Sequence, residues 1–149
     1  MKCNLKLCAC TALLALAGPA FGAASCTITS VPTLGFPNYD VFNAAPTVTS
    51  QIAKFKCTGL GSSDFTVGIG QSATSGTISG RQMAQSPGSG RLNYNIYKDG
   101  GYSNLWGDGT AGTTALLVTA TGANTSVPIY GKIDPGQDAP VGNYSDTVV

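Results

Sequence analysis

The run from Arg91 to Thr110, RLNYNIYKDGGYSNLWGDGT, constrains the fold of this 149-residue chain more than any other stretch. It holds the single tryptophan, three of the six tyrosines and two Asp-Gly pairs. Leu92, Tyr94 and Ile96 alternate with Asn93, Asn95 and Tyr97, the two-residue period of a strand with one buried face. Asp99-Gly100-Gly101 follows, and Asp-Gly between strand-like runs predicts a hairpin turn, whose favoured forms need positive φ at their centre. The outgoing limb ends at Leu105-Trp106, before a second turn at Gly107-Asp108-Gly109. The stretch reads as two strands about one tight turn, at the centre of a β-sandwich and without the layout of a catalytic site.

The N-terminus has a different character. Lys2 and Lys6 precede an apolar run, Cys8 to Ala17, which Gly18-Pro19 breaks and small residues follow. This is the layout of a secretory signal peptide, residues 1–22, with cleavage after Gly22 or Ala24. The apolar run is well short of the roughly 20 residues a membrane span requires. The mature chain then starts at residue 23 and runs to 149 as one domain. Without Lys2 and Lys6 it keeps six basic residues against seven aspartates and no glutamate, so no basic surplus points to nucleic acid or anionic lipid. Three cysteines leave with the signal, and Cys26 and Cys57 remain. In an exported domain these read most simply as one disulfide, closing a loop of about 30 residues and contributing about 3 kcal/mol by loop-closure entropy. Cys26 as a lipid-attachment site is disfavoured, because Ala23-Ala24-Ser25 lacks a bulky aliphatic residue and the lipid would orphan Cys57.

Alternation predicts strands at Cys26–Val31, Thr47–Cys57, Phe65–Ile69, Ala115–Ala120, Val127–Ile133 and from Val141 onward. Ala53, Phe55 and Cys57 share one face, with Lys54 and Lys56 on the other. Residues 71–89 are dense in Gly, Ser and Thr, with one short strand candidate near Ile78 and a polar stretch at Arg81-Gln82-Met83. No segment has helical periodicity over three turns, so the chain reads as an all-β sandwich of seven or eight short strands. The last strand is still running at Val148-Val149, which predicts either a short final strand or a fragment of something longer.

Little chemistry is available. The chain has no histidine and its mature part no glutamate, which removes the usual general base and the usual neutral metal ligand. No serine has a histidine to activate it. Two cysteines without a CxxC pair or nitrogen ligand do not make a zinc site. Asp99 and Asp108, with Asn104, could hold calcium, but Asp before Gly is favoured in turns for backbone reasons alone. Tyr97, Tyr102 and Trp106 could form a carbohydrate platform, although a lone tryptophan between alternating strands belongs more naturally in a core, with its indole N–H bonded. Arg81 and Arg91 read as partners for nearby carboxylates or as loop caps. The expectation is a non-enzymatic protein with no metal or cofactor.

One resemblance covers nearly the whole mature chain. Cys26 and Cys57, Arg81-x-Met83, Gly90-x-Leu92-x-Tyr94-Asn95-x-Tyr97-x-Asp99, Trp106-Gly107-Asp108-Gly109, Tyr130-Gly131-x-Ile133 with Gln137, and Gly142-x-Tyr144-x-Asp146-Thr147-Val148 stand in the order found in the spore coat protein U domain family. The chain resembles that family, the pilin fold of archaic chaperone–usher pili. The resemblance implies an incomplete immunoglobulin-like sandwich lacking its final strand, which accepts a strand from a periplasmic chaperone and later from a neighbouring subunit delivered by an outer-membrane usher. It implies a secreted surface subunit used in attachment and biofilm formation. The few residues left before Cys26 are too short to donate a strand, given about 3.3 Å per residue, which suits a terminal or tip subunit better than a shaft pilin. A coat protein around cells or spores and a secreted carbohydrate-binding sandwich are the other readings.

Overall fold

The computed structural model describes residues 25–58, 63–120 and 124–149, so the predicted signal peptide lies outside the described residues. The elements are β1 (Ser25–Ser30), β2 (Thr47–Thr58), β3 (Ser63–Val67), β4 (Arg81–Ser86), β5 (Arg91–Tyr97), β6 (Leu116–Ala120), β7 (Thr125–Ile133) and β8 (Asn143–Ser145). Six of them form one antiparallel sheet in the order β1-β2-β7-β5-β4-β8, and β3 and β6 pair as a separate two-stranded sheet. The fold is all-β among the described residues, as the alternation predicted. No helix there is long and apolar enough to cross a membrane.

The inner face of the large sheet follows directly from the two-residue period. Ala53 and Phe55 from β2, Val127, Ile129 and Ile133 from β7, Leu92, Tyr94 and Ile96 from β5 and Met83 from β4 make one buried cluster with Trp106. Their neighbours Lys54, Lys56, Asn93 and Pro128 are exposed on the other side. Pro128 is tolerated because the β5–β7 ladder covers only Tyr130 to Lys132, so β7 is paired on one side alone at the proline. Cys26 lies opposite Cys57 in the β1–β2 register, and the two form the predicted disulfide, tying the edge strand to its neighbour.

The reading of Arg91–Thr110 as two strands about one turn holds only in part. Its incoming limb is β5, and the outgoing limb doubles back antiparallel on it through the Tyr97–Leu105 bridge, with the Lys98 N–H donating to the Asn104 carbonyl and the Trp106 N–H to the Ile96 carbonyl, but it is too short to make a strand. The longer hairpin is on the upstream side, where β4 pairs with β5 from Arg81↔Tyr94 to Ala84↔Arg91. β4 is therefore a strand in the polar stretch where none was predicted, whereas Ile78 is buried in a loop. Gly100 and Gly101 do not take positive φ; Tyr102 does, at 55°. The third strand ends at Val67, short of Ile69, and the final strand spans just Asn143–Ser145, with Val148 bridging to Ser72 beyond it.

Candidate functional site

The two-stranded β3–β6 sheet is too small to cover the inner face of a six-stranded one. It reaches the β2 end, where Phe65 packs on Phe55 with ring centroids 5.5 Å apart. Elsewhere the face is flanked by two irregular segments. One is a strap over residues 31–42, in which Leu34, Phe36 and Tyr39 pack on the core. Phe36 meets Tyr94 edge-on at 6.0 Å, and the Thr49 hydroxyl donates to the Gly35 carbonyl at 2.7 Å. The other is the segment from Ala139 to Val149.

Between them lies an open groove of about 1240 Å³ whose floor includes Phe55, Met83, Leu92, Tyr94, Ile96 and Trp106. That volume exceeds the roughly 300–1,000 Å³ of small-molecule sites and suits an extended segment better than a compact ligand. The rim is as apolar as the floor. Of the eight large hydrophobic side chains exposed among the described residues, five (Ile28, Val31, Phe42, Val141 and Val149) line this groove. Phe42 is 93 % exposed, held by an Asx turn in which its N–H donates to Asp40 Oδ1 at 2.9 Å. Contiguous exposed apolar surface of this kind marks an interaction site.

The groove walls are fixed by buried polar groups. Arg81 is fully buried on the inner face of β4. Its Nη2 donates to the carbonyls of Ile69, Gly70 and Trp106 at 3.1, 2.8 and 3.0 Å, and its Nε to Gly70 at 3.3 Å. It clamps the two loops at one end of the groove and forms no salt bridge, so its role is the loop-cap alternative. Burial lowers its pKa, opposed by the nearby Tyr94, Asp146 and Asp108. Asp146, on the Ala139–Val149 wall, accepts from the Tyr94 hydroxyl (2.8 Å), the Thr74 hydroxyl (2.8 Å) and the Thr74 N–H (3.1 Å). Burial alone would raise its pKa, but the surrounding hydroxyls of Ser72, Thr74 and Tyr94 outweigh burial and hold it low. Burial and that same bond push the Tyr94 phenol well above its ordinary value. Tyr144 bends the wall back on itself, donating from its hydroxyl to the Pro140 carbonyl at 2.6 Å.

Gln137 completes a strand by proxy. Its Oε1 accepts from the Asn93 N–H at 2.7 Å and its Nε2 donates to the Asn93 carbonyl at 2.9 Å, beyond the point where the β7 ladder stops at Asn95. Gly131 is a site of close approach: a Cβ there would lie 2.7 Å from the Phe36 ring and 2.8 Å from Leu34 Cδ2.

Of the residues singled out in the sequence, Met83, Leu92, Tyr94 and Trp106 therefore meet on the groove floor, while Arg81 and Asp146 brace its wall. Trp106 is 1 % exposed and donates from Nε1 to the Val67 carbonyl at 2.8 Å, so it cannot serve as a sugar platform. Tyr97 and Tyr130 face each other on the outer side of the sheet. Asp99 and Asp108 are turn residues: Asp99 accepts from the N–H groups of Gly101, Ser103 and Asn104, and Asp108 from Thr110. Those bonds depress both carboxyls. Among the described residues no three acidic, cysteine or histidine groups gather as a metal site. The strap was missed as a functional element. Its signal was the Leu34/Phe36 alternation, obscured by Pro32 and Pro37, which deny it a backbone ladder.

An antiparallel sandwich with an open apolar groove and one disulfide defines the class, a pilin-like structural subunit. The chain belongs to the Spore Coat Protein U domain family, which it matches over residues 10–149. That family is one of structural subunits, not enzymes. The chain is 33 % identical over 126 residues to Protein U of Myxococcus xanthus, covering 78 % of this chain and 69 % of that protein. It is also similar in fold to a chain of the CsuC–CsuE chaperone–tip adhesion subunit pre-assembly complex from the archaic chaperone–usher Csu pili of Acinetobacter baumannii. There the TM-score is 0.58 at 16 % identity, and the match covers 85 % of this chain and 38 % of that one. The immunoglobulin-like pilin fold is thus established for this chain.

Proposed function

We propose that this protein is a strand-accepting subunit of an archaic chaperone–usher pilus. Residues 1–22 direct it to the periplasm, a chaperone holds it there, an usher exports it, and a neighbouring subunit finally supplies the strand that fills the groove. The observation that carries this reading is the groove itself: a floor made of the hydrophobic core, rimmed by five exposed large apolar side chains. In strand addition the incoming segment gains main-chain hydrogen bonds and seats alternate side chains in pockets along the floor. Left uncovered, the same surface is an aggregation hazard. A tip or terminal position, with a role in surface attachment and biofilm formation, is supported by the likeness to the Csu complex, which contains a tip adhesion subunit. The family's description supports a second reading, a coat protein that packs around cells without forming a fibre.

The two separate on donor dependence. The mature chain is expected to aggregate alone and to become soluble and cooperatively folded with a donor peptide or a co-expressed chaperone. A purified chain that is monomeric, fully folded and indifferent to every donor strand would remove the pilin mechanism and leave the coat reading.

A further inference from the structure

The outer face of the six-stranded sheet carries a second feature that does not involve the groove. The register places Ser50 opposite Tyr130 and Ile52 opposite Pro128, and Tyr97 flanks Tyr130 on its other side. A shallow cavity of about 440 Å³ opens here, lined by Ser50, Gln51, Ile52, Pro128 and Tyr130. The turn after β5 folds back over this face. Tyr102 meets Tyr97 and Tyr130 edge-on, at 5.7 and 6.4 Å, and a Cβ on Gly100 would lie 3.4 Å from the Tyr130 ring. Tyr102 sits at φ 55°, a conformation uncommon for a residue with a side chain. It is held there by Asp99, which accepts three backbone N–H groups of the same turn. The Tyr130 ring is thereby fixed by the turn while still bordering an open cavity.

The cavity has a mixed chemistry. Tyr130, Pro128 and Ile52 supply flat apolar surface, and the Ser50 and Tyr130 hydroxyls supply polar groups at its margin. Apolar surface beside hydroxyls is what one face of a sugar ring requires, and tyrosine suits a partner that is apolar on one side and wet on the other. Two-residue spacing puts Lys54 on the same face as Ile52, with Lys56 beyond it, and both are exposed. On the opposite flank Lys132 is paired to Asp134 at 2.9 Å. The turn over Tyr130 also brings the ionised Asp99 to this face, so Lys54 and Lys56 leave the surroundings of the cavity positive by one charge.

We propose that this cavity is a stacking site for an acidic polysaccharide. The C–H face of a pyranose ring lies against Tyr130 and Pro128, its hydroxyls reach Ser50 Oγ and Tyr130 Oη, and the carboxylates of neighbouring units lie toward Lys54 and Lys56. The site does not rest on the pilin reading, since it shares no residue with the groove.

The test titrates the full mature chain, with a donor peptide in the groove where solubility needs it, against oligogalacturonate and against dextran oligomers. Acidic oligomers are expected to bind at least about tenfold more tightly than neutral ones, a difference of about 1.4 kcal/mol, and to weaken as salt screens the lysines. Tyr130→Ala should abolish binding, whereas Tyr130→Phe, which keeps the ring and its packing, should retain it to within about threefold, the size of one lost peripheral hydrogen bond. Lys54→Gln with Lys56→Gln should erase the preference for the acidic oligomer without changing the fold. No oligogalacturonate binding at millimolar concentration, equal affinity for dextran, or full affinity in a folded Tyr130→Ala chain would each overturn the proposal.

Discussion

Arg81 and Asp146 stand about a groove wall without forming a direct ion pair, and each is held by neutral groups. Arg81 spends four hydrogen bonds on three carbonyls, and Nη2 alone meets all three. Arg81→Met removes the donor from the buried Trp106 carbonyl and the half-buried Ile69 and Gly70 carbonyls; with each unsatisfied buried group worth about 1–3 kcal/mol, a loss of about 2 kcal/mol or more is expected in urea unfolding. Arg81→Lys should recover only part of it, because its ammonium ends one bond short of the Nη2 position. Asp146 gives a pH signature. Its carboxyl is held low when folded, below the roughly 3.9 of an unfolded aspartate. The stability it contributes is therefore complete above that unfolded value and is lost as pH falls through the folded one. Urea midpoints between pH 6 and 2 should fall on the acid side in the wild type and less steeply in Asp146→Asn; parallel curves would show that Asp146 contributes nothing to the acid limb.

At the scale of elements, the strap over residues 31–42 has no backbone ladder, so side-chain packing and a few hydrogen bonds hold it. The critical contact is the bare Cα of Gly131 beneath Phe36 and Leu34. Gly131→Val would push the strap off β7 while leaving the β2–β7 ladder in place. The expected result is rapid proteolytic cleavage within residues 31–42, with Trp106 fluorescence still that of a buried indole; uncleaved variant protein would show that the strap can give way locally. β1 depends on its disulfide in a similar way. All six of its residues are exposed, so replacing Cys26 and Cys57 by serine should lower stability by about 3 kcal/mol from loop-closure entropy. How well each element could be read from the sequence tracks the same physics. β2, β5 and β7 alternate over most of their length because they bury one face, and their inward residues were legible in the sequence. β4 was not, because its first inward residue is an arginine whose partners are loop carbonyls, invisible until the loops are placed. The outgoing limb after Asp99 reads as a strand because Leu105 and Trp106 are apolar, but it pairs with β5 only over Asn104 to Trp106 before the chain turns away at Gly107. The groove floor was legible as a list of core residues. Its openness was not, since nothing local reveals that β3 and β6 are too few to cover the sheet.

For the whole molecule the question is what the empty groove does to stability. The core is continuous with the groove floor, so side chains such as Leu92 and Ile96 are buried by the sheet and yet border open space. Dispersion contacts are then missing on one side of the core, and the isolated chain should be less stable and more mobile than a closed sandwich of the same size. A segment that enters the groove binds the folded state alone, so it stabilises by mass action: about 2.7 kcal/mol at a hundredfold excess over its dissociation constant. For a domain of this length that corresponds to a rise in thermal midpoint of about 10 °C. The rise should depend on pattern, because alternate side chains of an added strand point into and out of the groove. A peptide with apolar residues at every second position should raise the midpoint. The same composition with one apolar position changed to aspartate should raise it much less, through the penalty of burying a charge against Leu92 and Ile96. A scrambled peptide without alternation should not raise it at all. Differential scanning fluorimetry across the three peptides decides the matter: equal shifts would mean nonspecific coating of an apolar surface, whereas graded shifts would mean that the groove reads a strand.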